Sequence, residues 1–228
     1  MADQLFKNRQ REREDRISRQ KKLRADSWLI VCEGKATEPN YFNGLLDYAN
    51  KLTDNPITFT IEGTGRNTES LVECIDDFFD FADDCVRNMK IPYGKTFAVF
   101  DKDSFKPGQF NNAISRAIGK GYIPIWSNEC IELWFLLHFI LLESNITRTQ
   151  YFDKLSNIFK KSYGFKYTKS INNIFELIYT PDNFKRAMKN AEKLYDKSCN
   201  EKSPSKRCPC TNVHQFVEEM QREMGIKL

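Results

Sequence analysis

Carboxylate side chains follow two apolar runs of this sequence, at the points where each run stops. Glu33 follows residues 28–32, and Asp101 and Asp103 follow residues 96–100. Short, continuous apolar runs are typical of strands buried on both faces of a parallel sheet. Ligand sites of open α/β sheets lie beyond the carboxyl ends of such strands, which are only about 4.8 Å apart. We therefore expect Glu33, Asp101 and Asp103 to converge on one small volume.

Three carboxylates at close range repel one another unless a cation lies among them. Oxygen ligands with few competing nitrogen or sulfur atoms suit Mg²⁺ or Mn²⁺. Glu33, Asp101 and Asp103 therefore predict a divalent-metal site for phosphate chemistry. In that site Glu33 would be the general base or the ligand of a second metal. The alternative is a turn with exposed acids, because Asp-x-Asp is common in loops.

A strongly apolar segment, residues 128–142, predicts a helix capped by Ser127. Glu132 lies four residues after Asn128, a spacing that places both side chains on one helix face. Because a carboxylate in so apolar a run needs a partner, we predict that Asn128 and Glu132 position metal or substrate. The alternative is a helix cap and a structural ion pair. His138 lies about 120° further round the helix and is expected to be a packed, hydrogen-bonded histidine.

Basic residues flank the acidic motifs and could stabilise phosphate charge. Others, near residue 167, alternate with aromatic residues, a mixture that suits single-stranded or looped nucleic acid. Solvated lysines and ordinary core aromatics explain the same patterns. The predicted nucleic-acid-binding residues are Lys35, Arg66, Lys102, Lys166 and Lys169. Glu38 could either reach the site or cap the next helix.

Strand and helix patterns alternate as β-α-β-α-β-α-β-α from residue 27 to residue 142. This order predicts an α/β fold, an open parallel sheet with right-handed crossovers and flanking helices. No strand pattern remains after Glu143, and four amphipathic stretches predict a C-terminal helical extension. We therefore divide the chain into a basic N-terminal arm (residues 1–25), an α/β domain (residues 26–143) and a helical region (residues 144–228).

The 228 residues are 40% apolar, which is ample material for a core. The net charge of +4 is concentrated in residues 1–25, where nine Lys or Arg stand against four Asp or Glu. Such an arm can neutralise phosphates, or it can be a solvated tail. Because no apolar stretch is long enough for a membrane and no signal-peptide core occurs, we expect a cytoplasmic protein.

The seven cysteines are odd in number and contain no Cys-x-x-Cys, which favours a reducing compartment over a disulfide framework. Cys199, Cys208 and Cys210, with His214, could in principle hold Zn²⁺. Their spacing matches no standard zinc knuckle, and ordinary loop cysteines explain them as well.

Several segments resemble motifs of RloB-like proteins. They are LIVCEGKATEPNYF at residues 29–42, residues 63–68, VFDKD at residues 99–103, and YTK and TNVH at residues 167–169 and 211–214. The most specific is SNECIELWFLLHF at residues 127–139, in which Glu129 stands where that family usually has proline.

The resemblance implies a Toprim-like fold, in which Glu33 matches the glutamate after the first strand and Asp101 and Asp103 match the Asp-x-Asp. It also implies cleavage of nucleic acid, either DNA or RNA (with tRNA among the RNA candidates), in bacterial defence against phage, beside an ATPase partner. The alternative is a non-catalytic module that binds a nucleotide or a nucleic-acid end while the ATPase acts. The chain itself has no Walker lysine loop. Whether it forms a homodimer stays open.

Overall fold

The computed structural model of this protein describes residues 27–81 and 93–228. The predicted basic arm, residues 1–25, lies outside the described residues, as does the predicted end of the second helix near Met89. The prediction of an α/β fold with an open, mostly parallel sheet flanked by helices is confirmed.

One five-stranded sheet forms the centre of the fold. The strands are β1 Ser27–Cys32, β2 Thr58–Gly63, β3 Lys95–Asp101, β4 Ile123–Asn128 and β5 Cys210–Thr211. Their spatial order is β2-β1-β3-β4-β5. The first four strands are parallel, whereas β5 is antiparallel to β4. Because the connections between parallel strands cross over the sheet, helices lie against it.

Eight α-helices occur in the described residues. They are α1 Thr37–Asn50, α2 Thr68–Cys74, α3 Pro107–Gly119, α4 Glu132–Leu137, α5 Arg148–Tyr163, α6 Ile174–Ile178, α7 Pro181–Lys197 and α8 Val213–Met224. Short 3-10 helices span Ile75–Phe81 and Pro204–Lys206. Among these described elements, no helix combines the length and the apolar character that crossing a membrane requires.

Helices cover both faces of the sheet, which explains the unbroken apolar runs. On β1, Trp28 and Ile30 belong to one hydrophobic cluster, whereas Leu29 and Val31 belong to the other. All four side chains are fully buried. Since alternate side chains of a strand point to opposite faces, a strand covered on both faces must be apolar throughout.

The C-terminal region contributes to the sheet as well as to the helical layers. β5 pairs with the end of β4, where Thr211 lies opposite Ser127. The prediction that no strand follows Glu143 is wrong, because two residues are too few to show strand alternation. The larger hydrophobic cluster contains side chains from both sides of residue 143.

The predicted helix over residues 128–142 also needs correction. Ser127 and Asn128 close β4, and the helix runs only from Glu132 to Leu137. The prediction that Asn128 and Glu132 share one helix face is therefore wrong. The segment is buried on all sides, so its hydrophobicity shows no period that would separate a strand end from a helix.

Candidate functional site

Two neighbouring parallel strands bring acidic residues to the same edge of the sheet. β1 and β3 pair with Cys32 opposite Val99. The backbone N–H of Glu33 continues this pairing by donating to the Val99 carbonyl at 2.9 Å. Asp101 is the last residue of β3 and lies opposite Ser127 of β4. Glu33 and Asp101 therefore stand at the carboxyl ends of adjacent strands.

A cavity of about 330 Å³ opens at this edge of the sheet. Its wall contains four acidic and four basic side chains, so the opposite formal charges are balanced. The volume lies at the lower end of the range for small-ligand sites. The charged side chains are Glu33, Lys35, Glu38, Arg66, Asp101, Asp103, Arg148 and Lys169.

Glu33 is held by a hydrogen bond from the start of α2. Its Oε2 accepts from the Oγ1 of Thr68 at 2.9 Å, and Thr68 is fully buried. Burial raises the pKa of Glu33 from 4.5 to about 7, although hydrogen bonds from Thr68 and the Asp101 backbone lower it. A carboxyl group with a pKa near 7 exchanges its proton readily at neutral pH, as a general base must.

Asp101 and Glu38 are the most buried acids of the cavity wall, with 7% and 6% of their surface exposed. Burial raises the pKa of Asp101 well above its ordinary value, and the charges of Glu38 and Glu132 raise it further. Burial likewise raises the pKa of Glu38, to which the charge of Glu132 adds. The surroundings of both carboxyl groups therefore disfavour ionisation, a condition that a bound cation would relieve.

Glu38 lies in the cavity wall. The sequence alone did not decide whether this residue reaches the site or caps the next helix. Glu38 lies in the first turn of α1, and its carboxylate packs against Gly34 so closely that a Cβ there would clash with it. Gly65 has a φ of +64° and lies against the Lys35 side chain in the same way. The absence of side chains at these two glycines lets the two loops hold Glu38 and Lys35 at the cavity.

Asp103 pairs with a residue that no sequence pattern marks. Arg148, the first residue of α5, forms an ion pair with the Asp103 carboxylate. The backbone of Asp103 has a φ of +40°, in the left-handed region that residues other than glycine seldom adopt. Its N–H donates to the carbonyl of Glu129 at 2.9 Å, and its own carbonyl accepts from Nζ of Lys102 at 3.0 Å. These contacts fix Asp103 and Arg148 on one side of the cavity.

Glu132 lies behind the cavity rather than in its wall. The side chain is fully buried, and its Oε1 accepts a hydrogen bond from the Tyr167 hydroxyl at 3.0 Å. Its Oε2 has no hydrogen-bond partner among the described residues. Buried carboxylate oxygens are rarely left unpaired. Glu132 is close enough to Asp101 and Glu38 to act on both electrostatically.

Other predicted site residues lie outside the cavity. Nδ2 of Asn128 donates to the Ser205 carbonyl at 3.0 Å, so Asn128 holds the segment around the second 3-10 helix against β4. Lys166 is exposed and, like Lys102, does not line the cavity. The cavity wall does contain the remaining three predicted basic residues, Lys35, Arg66 and Lys169.

The prediction that His138 is a packed, hydrogen-bonded histidine is confirmed. It is fully buried, and its Nδ1 shares a hydrogen bond with the Trp134 carbonyl at 3.0 Å. Burial lowers the pKa of His138 to about 4. Near the C-terminus, Sγ of Cys208 contacts Oδ1 of Asn145 at 3.0 Å, and His214 packs against Tyr195.

Across residues 27–81 and 93–228, no three His, Cys, Asp or Glu side chains are arranged to hold a metal ion. This finding includes the cysteines and histidine near the C-terminus. At the strand ends, however, the candidate ligands are carboxylate oxygens, which are the ligands that Mg²⁺ and Mn²⁺ prefer. Glu33, Asp101 and Asp103 therefore fit a hard divalent cation in chemistry, provided that Asp103 exchanges Arg148 for the metal.

Comparison with known proteins identifies one family. A family model described as RloB-like protein matches residues 28–220. That span contains every charged side chain of the cavity wall. No curated protein and no solved structure shows a significant match to the chain.

Proposed function

Because this chain belongs to the RloB-like family, we propose that it is a cytoplasmic, metal-dependent endonuclease of Toprim type that acts in bacterial defence against phage. Its substrate is nucleic acid, either DNA or RNA, with tRNA among the candidates. The observation that supports this proposal most is the cavity in which four carboxyl groups lie beside four cationic side chains. Phosphodiester cleavage uses both, because acids hold a cation and move a proton while cations neutralise phosphate.

Five of the eight charged groups have a direct role in this proposal. Glu33, Asp101 and Asp103 would hold Mg²⁺ or Mn²⁺, which supplies a Lewis acid at the scissile phosphate. Glu33 also accepts a proton from the attacking nucleophile, because it stands directly after β1, beside Asp101 and Asp103 of the cavity wall. Lys35 and Arg66 bind the phosphate groups that enter the cavity.

Incubation of the purified protein with end-labelled DNA and RNA tests this proposal. Cleavage is expected in Mg²⁺ or Mn²⁺ and not in EDTA. Glu33→Gln should still bind nucleic acid but lose at least about 100-fold in cleavage rate, as expected for lost acid–base help. Asp54→Asn, at an exposed loop position, is the control and should cleave like the wild type. Cleavage by Glu33→Gln at the wild-type rate would exclude Glu33 as the base.

The ion pair between Arg148 and Asp103 favours a second candidate function. While Asp103 is paired with Arg148, it is not available as a metal ligand. The cavity would then recognise a nucleotide or a nucleic-acid end without cutting it, while a partner ATPase acts. In that case the protein would bind labelled nucleic acid equally well in EDTA and in Mg²⁺. It would also never cleave, even with the ATPase present.

A further inference from the structure

An aromatic ring beside the cavity contacts two of the cationic side chains that line it. Arg148 and Lys169 both line the cavity, and each lies over the ring of the half-buried Phe152, which is adjacent to the lining and not part of it. The ring centroid of Phe152 is 5.8 Å from Cζ of Arg148 and 5.4 Å from Nζ of Lys169. Both distances fall within the range of about 6 Å over which a cation is attracted to an aromatic face.

Contacts with neighbouring residues hold Phe152 and Lys169 in place. The Tyr167 ring lies nearly parallel to that of Phe152, with centroids 6.1 Å apart and an interplanar angle of 17°. The hydroxyl of Tyr167 donates to Glu132, and the carbonyl of Lys169 accepts a hydrogen bond from Thr37 at 3.2 Å. These side chains are therefore connected both to the buried acid behind the cavity and to the first turn of α1.

The proposed cleavage chemistry does not use Phe152, although its ring faces the cations that line the cavity. The ring packs at the edge of the larger hydrophobic cluster, and part of its surface stays accessible. Nucleobases stack on aromatic rings, and phosphates pair with Arg and Lys. A nucleotide can therefore bind the ring and the cations together. Its base stacks on the ring in place of the cations, and its phosphate pairs with the cations.

We propose that Phe152, Arg148 and Lys169 form a nucleotide subsite, in which Phe152 stacks on an unpaired base and the two cations hold the adjoining phosphates. This inference rests on the proposed function and makes single-stranded or looped nucleic acid its substrate class. In the interior of a duplex, neighbouring bases cover both faces of each base, so a stacking ring can contact only the two terminal base pairs. The cavity of about 330 Å³ is also near the lower limit for a small-ligand site, which suits one nucleotide rather than a duplex.

Fluorescence anisotropy in EDTA tests the subsite, with a short labelled single strand and the blunt duplex of the same sequence as probes. Phe152→Leu should weaken single-strand binding by roughly 5- to 100-fold, the range for a lost base–aromatic stack, and leave duplex binding unchanged. Phe152→Tyr keeps a ring and should bind like the wild type. Phe165→Leu is the matched control, since Phe165 is 42% exposed beyond the end of α5, where its ring packs against Phe159 and Tyr163. Equal losses in the two leucine variants, or no loss in Phe152→Leu, would overturn the subsite.

Photo-crosslinking provides a test in the wild-type protein that does not depend on the folding of a variant. A single strand that carries 5-iodouracil should crosslink to Phe152, as located by mass spectrometry of the digested protein. Crosslinks found only at other residues would contradict the proposal.

The two proposals fail in distinguishable ways. If the protein cleaves nucleic acid in Mg²⁺ but its single-strand affinity does not depend on Phe152, the nuclease proposal stands and the subsite proposal is wrong. If single-strand binding in EDTA depends on Phe152 but the protein never cleaves, the subsite proposal stands and the nuclease proposal is wrong.

Discussion

Replacing Glu33 with glutamine should change how the stability of the metal-free protein depends on pH. Folding raises the pKa of Glu33 from 4.5 to about 7, because its carboxyl group is buried. Between these two pH values the folded state keeps a proton that the unfolded state releases. The contribution of this proton to stability is therefore complete below pH 4.5 and is lost as the pH rises through about 7.

The size of this effect follows from the two pKa values. A change from 4.5 to about 7 corresponds to about 3 kcal/mol at pH values well above 7, because a tenfold change in proton affinity is worth about 1.4 kcal/mol. Most of that change falls between about pH 5 and pH 8, over which Glu33 alone should cost the protein roughly 2.5 kcal/mol. Asp101 and Glu38, whose pKa values are also raised, act in the same direction. The glutamine side chain is neutral at every pH, so the variant lacks only the part of the pH-dependent loss of stability that Glu33 causes.

Urea unfolding in EDTA at about pH 5 and about pH 8 measures this difference. The wild type should lose stability at the higher pH, and Glu33→Gln should lose about 2.5 kcal/mol less. Asp54→Asn, which changes an exposed acid, should follow the wild type. Saturating Mn²⁺ should flatten the wild-type dependence, because a ligand of the folded state stabilises the ionised carboxyl groups. An identical pH dependence in wild type and Glu33→Gln would refute burial of Glu33 as the cause.

Arg148→Gln frees the Asp103 carboxylate from its ion pair and should tighten Mn²⁺ binding in calorimetry while weakening nucleic-acid binding. Weaker Mn²⁺ binding would contradict a competition between Arg148 and the metal. Asn212→Ala removes the Oδ1 that accepts from the Trp126 backbone N–H at 2.6 Å, and urea unfolding should show a loss of about 1–3 kcal/mol. A loss below about 0.5 kcal/mol would mean that water replaces this contact. Removing residues 1–25 should weaken nucleic-acid binding and make it less dependent on salt, because fewer counterions are released. Equal salt slopes with and without these residues would show that they do not contact phosphates.

The positions of the central strands, and of the acids that follow them, can be predicted from the amino-acid sequence. A strand covered by helices on both faces must be apolar throughout, so residues 28–32 and 96–100 identify β1 and β3 without further information. The register of those two strands then brings Glu33 and Asp101 to one edge. The alternation of strands and helices likewise predicts the α/β architecture, because parallel neighbours require crossover connections.

The other contacts of the site depend on how distant parts of the chain pack together. Arg148 reaches Asp103 across 45 residues, and Tyr167 reaches Glu132 across 35, distances over which no local pattern carries information. The end of β4 could not be predicted, because a segment that is buried on all sides shows no hydrophobic periodicity. The strand β5 could not be predicted because two residues are too few to show a period. Sequence also could not indicate that Glu33 would hold its proton up to about pH 7. That affinity arises from burial, which exists only once the strands and helices have packed around the carboxyl group.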